Sequence, residues 1–153
     1  MSLLFELLAA CFAGLVAAIC MTLVEIPFWK KWGMGGVTEW QVNSVIIWVL
    51  IRKFTQRRVV SSTSVAMHWF HGAALGILFR VLLDFSQTTI LPPPALAYAI
   101  VYSSLLWIVS PFLTRKLFES AGGFRITRKG LAVSFLAHIV YGISLGLLIS
   151  IIA

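Results

Sequence analysis

Charge is what this chain has least of. Only 11% of its 153 residues are charged and 60% are hydrophobic, whereas a soluble domain carries roughly a quarter charged residues. So little polar surface cannot cover a core in water, and the mean hydropathy of +0.98 makes lipid the expected solvent. Acidic residues are scarcest: five, against twelve basic ones and a net charge of +7. In a soluble protein that imbalance would raise nucleic acid as a partner. Here the positive charges fall in blocks between apolar runs, so the positive-inside rule accounts for them and no nucleic acid is expected. Cysteine is limited to Cys11 and Cys20, nine residues apart in one helical run and hence about 13 Å apart along its axis, too far to pair. A basic stretch before the first apolar run is also missing. Leu8-Ala9-Ala10-Cys11 looks like a lipoprotein cleavage box, but Glu6 stands where a signal peptide has its positive charges, so the run is expected to be a retained span.

Long apolar runs are plentiful. Four of them, at about residues 7–28, 64–84, 95–113 and 131–152, are each near the roughly 20 residues that cross a hydrocarbon core. The fold class expected is therefore all-α: one polytopic domain of four transmembrane helices. All twelve basic residues except Arg80 lie in two loops, at Lys30, Lys31, Arg52, Lys53, Arg57 and Arg58 and at Arg115, Lys116, Arg125, Arg128 and Lys129. That asymmetry predicts both loops in the cytoplasm, against anionic lipid, and both termini outside, in a multi-pass protein of the cell membrane. The first loop is long. Thr38-Glu39-Trp40-Gln41 is a candidate capping box for a helix with Val42, Val45, Ile46, Val49 and Leu50 on one face, ending near Arg52-Lys53. Too short to span, it is expected in the inner interface, with a re-entrant segment as the alternative.

The chain also repeats itself. His68-Trp69-Phe70-His71-Gly72-Ala73-Ala74-Leu75-Gly76-Ile77-Leu78 and His138-Ile139-Val140-Tyr141-Gly142-Ile143-Ser144-Leu145-Gly146-Leu147-Leu148 share His-x-x-aromatic-Gly-x-x-Leu-Gly-aliphatic-Leu. The preceding spans end alike, in Ile26-Pro27-Phe28 and Ser110-Pro111-Phe112. Each half is then one hairpin, and two hairpins inserted the same way form a parallel repeat. On helices, His68, Gly72 and Gly76 make one i, i+4 stripe, and His138, Gly142 and Gly146 another. Small residues let helix backbones approach closely, so spans two and four are expected to pack stripe to stripe.

The intramembrane polar candidates are His68, His71, His138, Tyr141 and Glu25. The histidines are expected neutral and hydrogen-bonded between helices, fixing register. The sharper reading makes His68 and His138, at equal depth, axial ligands of a haem or a metal ion. Glu25 is expected at the inner interface, within reach of Lys30, a histidine or water. Arg80 and Asp84, at i, i+4, read as a surface ion pair of small worth, with Glu6 near the same interface. Tryptophans 29, 32 and 40 suit an inner aromatic belt, and Trp69 and Trp107 suit deeper packing. Ser61 to Ser64 have no histidine and acid spaced to activate them, and Gly33-Met34-Gly35-Gly36 lacks the lysine of a phosphate loop. No catalytic site is expected.

Ala13-Gly14-Leu15 leading to Met21-Thr22 in the first span, with His138-x-x-Tyr141-Gly142-x-x-Leu145-Gly146 in the last, resembles small four-helix membrane proteins of the YagU-like kind. The likeness covers the spans and not the loops. It implies a four-helix bundle and brings no activity with it. Three functions are expected in order: a non-catalytic scaffold or accessory subunit, joined to other membrane subunits or to itself; a small homo-oligomeric transporter or channel; and a haem- or metal-binding electron-transfer protein.

Overall fold

The computed structural model describes residues 3–51, 61–87, 95–121 and 126–152. Arg52, Lys53, Arg57, Arg58, Pro92, Pro93, Pro94 and Arg125 of the loop readings lie outside them. Among the described residues the structure is all-helical: α1 (Leu3–Trp32), a 3-10 turn (Gly33–Gly36), α2 (Thr38–Ile51), α3 (Ser61–Gln87), α4 (Ala95–Ala121) and α5 (Arg128–Ile152). Three of these segments are long and apolar enough to cross a membrane: Leu3–Gly36, Ser62–Phe85 and Arg128–Ile152. In α4 the apolar stretch is shorter, Ala95–Ser110, although a helix of 27 residues is about 40 Å long.

The helices overrun the apolar runs because backbone hydrogen bonding continues where the hydrocarbon pattern stops. In α1 the helix passes Pro27, which has no N–H to give the carbonyl four residues earlier, and ends only at Gly33. There φ is +62°, a left-handed turn that glycine makes without a Cβ clash. At the start of α5 the Thr127 hydroxyl accepts from the Gly130 N–H at 2.9 Å and donates to the Gly35 carbonyl at 2.9 Å. One side chain thus caps α5 and ties it to the turn after α1.

Helix α1 packs between α3 and α5, and α4 packs closely on α5 and lightly on α3, so the four long helices close a ring. The core is made of small side chains, with Ala10, Ala13, Ala17, Ala18, Ala99 and Ala137 wholly buried. Large apolar groups point outward: Phe12, Phe70, Leu105, Phe135 and Leu147 are exposed. This inside-out distribution suits a solvent as apolar as leucine, in which helices associate by close contact rather than by hiding hydrocarbon.

The glycine stripes meet partners other than each other. An added Cβ at Gly72 would run into Ala18 and the Gly14 carbonyl oxygen, and one at Gly76 would lie 2.8 Å from Gly14 Cα. Gly142 adjoins Ser103 and the Ala99 carbonyl, and a Cβ at Gly146 would lie 2.6 Å from Leu96 Cα. The second stripe-bearing helix of each half therefore lies on the first helix of that same half, α3 on α1 and α5 on α4. The expected stripe-to-stripe contact between spans two and four is corrected on this geometry: Ala10-x-x-x-Gly14-x-x-x-Ala18 supplies a groove that Gly72 and Gly76 fill.

Helix α2 occupies the expected stretch and is packed into the bundle. Thr38, Trp40, Gln41, Val42, Asn43, Ser44, Val45 and Ile47 are all buried, because α2 packs at one end of the ring against α3, α4 and α5. Trp40 is accordingly a buried residue and not a belt residue, its ring 5.6 Å from that of Trp29. Trp32 has Lys31 Nζ 5.5 Å and Lys129 Nζ 5.3 Å from its ring, within cation–π range. Trp69 donates to Thr22 Oγ1 at 3.0 Å and Trp107 to the Leu131 carbonyl at 3.3 Å.

Candidate functional site

The turn Gly33–Gly36 folds α2 back over the end of α1. Gly36 fits there because a Cβ would lie 2.9 Å from the Phe28 carbonyl oxygen and from the Trp32 side chain. This reversal brings Glu39 and Trp40 onto Glu25. Glu25 is completely buried under α2, and of the partners expected for it a histidine is the one it lies beside. Trp40 Nε1 donates to Glu25 Oε2 at 2.8 Å, and His68 Nε2, on α3, lies 3.7 Å from the same oxygen, too far for a hydrogen bond.

A second acid–imidazole pair stands beside the first. Ser134 Oγ donates to Glu39 Oε1, and His138 Nδ1 lies 3.5 Å from that oxygen. His138 Nδ1 is also 2.9 Å from the Ser134 carbonyl oxygen. A carbonyl can only accept, so Nδ1 carries the proton of the ring. The carboxyl of Glu39 adjoins that of Glu25, and neither has a lysine or arginine partner among the described residues. Three buried atoms in this cluster have no hydrogen-bond partner there: Glu25 Oε1, Glu39 Oε2 and His68 Nε2. Unpaired polar atoms out of water are costly, on the order of 1–3 kcal/mol each, and mark places where structure alone does not account for the residues.

Glu39, His68, His71, His138 and Tyr141 line one part of a cavity of about 270 Å³. Apolar side chains, among them Val42, Ile46, Leu75, Leu106 and Val109, line the cavity too, together with Asn43 and Ser110. The Tyr141 hydroxyl donates to the Gly72 carbonyl at 2.9 Å, which fixes the phenol between α5 and α3. Of the residues singled out in the sequence, His68, His71, His138 and Tyr141 thus converge on one cavity, and Glu25 joins through its contact with Glu39. Gly76, Gly142 and Gly146 stand apart from it, in helix contacts. Among the described residues no three His, Cys, Asp or Glu side chains are arranged to hold a metal ion.

The chain matches no known family model, no curated protein and no solved structure. The site therefore has to be read from its own chemistry. In the sequence Glu39 reads as part of a capping box and Trp40 as a belt residue, and Ser134 is not singled out, so none of the three is found as a member of this cluster. The one signal was Glu39 itself, the sole acidic residue of an otherwise uncharged apolar stretch from Val37 to Ile51. Far from the cluster, Arg80 Nη2 reaches Glu6 at 2.9 Å and Asp84 at 3.0 Å, so the expected local pair also bridges α3 to α1.

Proposed function

We propose that the protein is a small polytopic membrane carrier whose working centre is the pair of buried acid–imidazole couples, Glu25–His68 and Glu39–His138, on one cavity. In this reading all four long helices span, both termini are outside, and each half of the chain is one hairpin of a parallel repeat. The matching contacts of Gly72 with Gly14 and of Gly142 with Ala99 support the repeat, as does the shared histidine-glycine pattern. The observation that carries the proposal is the placement of two carboxyl groups and two imidazoles in the interior of the bundle, at the end that carries its basic residues but with no lysine or arginine among the described residues paired to them. Ionisable groups at membrane depth cost on the order of 2.5–3.5 kcal/mol each on insertion scales, and they are the usual parts of proton and substrate routes.

The scaffold or accessory-subunit reading accounts for the links of Trp40 to Glu25 and of Ser134 to Glu39, but it leaves Glu25 Oε1, Glu39 Oε2 and His68 Nε2 buried without a use. A shortage of polar groups in the spans would speak against transport. Here α2 supplies them: Glu39, Gln41, Asn43 and Ser44 enter the bundle from the first loop, and Ser44 Oγ lies 2.8 Å from Ser64 Oγ.

Proteoliposomes adsorbed on a solid-supported membrane test the carrier reading. A pH step should give a transient current as protons reach the cluster, and Glu25→Gln with Glu39→Gln should abolish it. Equal currents from the wild type and the double variant would return the accessory-subunit reading to first place. An absorption spectrum of the purified protein addresses the electron-transfer reading: no Soret band is expected, and one haem per chain lost in His138→Ala would install that reading instead.

A further inference from the structure

The cavity wall is mixed, and its chemistry states what fits it. Part of the wall presents acceptors. Glu39 Oε2 has no partner among the described residues. His68 Nε2 has none either, and it accepts when the neutral ring holds its proton on Nδ1. The Tyr141 oxygen has spent its proton on the Gly72 carbonyl and keeps lone pairs free. Glu25, behind Glu39, shares a hydrogen bond with its carboxyl, which needs one proton between the two and leaves the pair one negative charge. The apolar part of the wall comes from Val42, Leu75, Leu106 and Val109, with Asn43 and Ser110 also in the lining. Leu75 stands on α3 and Val109 on α4, which make the lightest contact between neighbouring long helices, and Val109 is 46% exposed.

An anion there would face the negative charge of this carboxyl pair, which no lysine or arginine among the described residues offsets. An uncharged polar ligand would leave that charge unanswered, and a hydrated inorganic ion would leave the apolar wall unused. A primary ammonium offers three N–H bonds, matching Glu39 Oε2, His68 Nε2 and the Tyr141 oxygen in number. The volume of about 270 Å³ stands near the lower end of small-molecule sites, which run to roughly 300–1,000 Å³, so the ligand is small.

We propose that this cavity binds a small lipophilic primary amine in its ammonium form, drawn from the membrane through the α3–α4 seam, with its head on Glu39 and its body against Leu75 and Leu106. The proposal names the substrate class of the carrier reading and rests on that reading only for the transport of the bound amine.

Calorimetry on the protein in detergent, with empty micelles as the blank, tests binding without transport. The probes are 4-phenylbutylamine, 4-phenylbutan-1-ol and 4-phenylbutyrate, which share a body and differ in the head. One amine per chain should bind, the alcohol at least tenfold more weakly, and the acid not measurably. Glu39→Gln should weaken the amine at least tenfold, and Leu75→Phe, which fills the apolar part, should do the same. Ala74→Leu, on the exposed side of α3, should leave binding unchanged. Alcohol binding as tight as amine binding would overturn the proposal, as would wild-type affinity in Leu75→Phe. Should Glu39→Gln fail to fold, the amine–alcohol ratio still reports the charge and Leu75→Phe the location. Amine binding without a pH-step current sinks the carrier reading and leaves this proposal standing; a current without amine binding does the reverse.

Discussion

A methyl group on Gly76 would lie 2.8 Å from Gly14 Cα and 3.0 Å from its nitrogen. Both are backbone atoms, which cannot rotate out of the way. Gly76→Ala should therefore push α3 off α1 and cost about 1–3 kcal/mol, the range for overpacking a dense interior. Gly14→Ala should cost a similar amount. The double variant should cost less than the sum, because both methyls open one contact. Gly76→Ala with Gly146→Ala should be additive, since Gly146 meets Leu96 and Ala99. Ala74→Leu, on the exposed side of α3, should stay within about 0.5 kcal/mol of the wild type. Thermal unfolding in a single detergent reads all of these variants, and strong coupling between 76 and 146 would mean that the two stripes touch after all. At this scale the sequence shows that the glycines pack, because their i, i+4 spacing puts them on one line. It does not choose their partner. Ala10, Gly14 and Ala18 have the same spacing, and a period says nothing about which groove lies opposite.

Helix α2 holds the bundle together through polar links that its sequence does not advertise. It reaches α1 by Trp40 to Glu25, α3 by Ser44 to Ser64, and α5 by Glu39 to Ser134. Trp40→Phe removes the donor and leaves a buried carboxyl oxygen bare, so it should cost about 1–3 kcal/mol. In a Glu25→Leu background the same substitution should cost clearly less, because no acceptor remains to be stranded. Equal costs in both backgrounds would show that the hydrogen bond adds nothing. At the other end, Arg80 should act as a clamp between α1 and α3. Its partners Glu6 and Asp84 are 23% and 41% exposed as side chains, so Glu6→Gln should destabilise more than Asp84→Asn, each by no more than about 1 kcal/mol. The extent of α2 was legible from its apolar run and from the charges just beyond it. Its burial was not. Asn43, at 2% exposure, and Gln41, at 6%, read as a wet face when taken alone, and the serine that satisfies Glu39 lies 95 residues further along the chain.

For the molecule as a whole, the apolar runs and the charge asymmetry carry most of what the sequence discloses, and the convergence of the polar residues is what only folding reveals. The acid–imidazole cluster lies at the end of the bundle where α1 finishes and α3 and α5 begin, which is the end that carries Lys30, Lys31, Arg128 and Lys129. The Arg80 clamp with Glu6 and Asp84 lies at the opposite end. If basic residues stay on the cytoplasmic side, the cluster sits near the inner surface and α2 closes the bundle from within. Single cysteines in a background with Cys11 and Cys20 replaced by alanine test this orientation. Gly35 tolerates the change, since a Cβ there has only the Gln41 side chain at 4.0 Å. Thr89, outside the described residues, stands in the one loop of the sequence without a basic residue. In intact cells a membrane-impermeant maleimide should modify Thr89→Cys and spare Gly35→Cys, and permeabilisation should make Gly35→Cys reactive. The opposite pattern would place the cluster at the outer surface and reverse the direction of any proton-driven carriage. Labelling of both positions in intact cells would put them on the same side, with no net crossing between them, so that α3 could not span and the four-span reading would end.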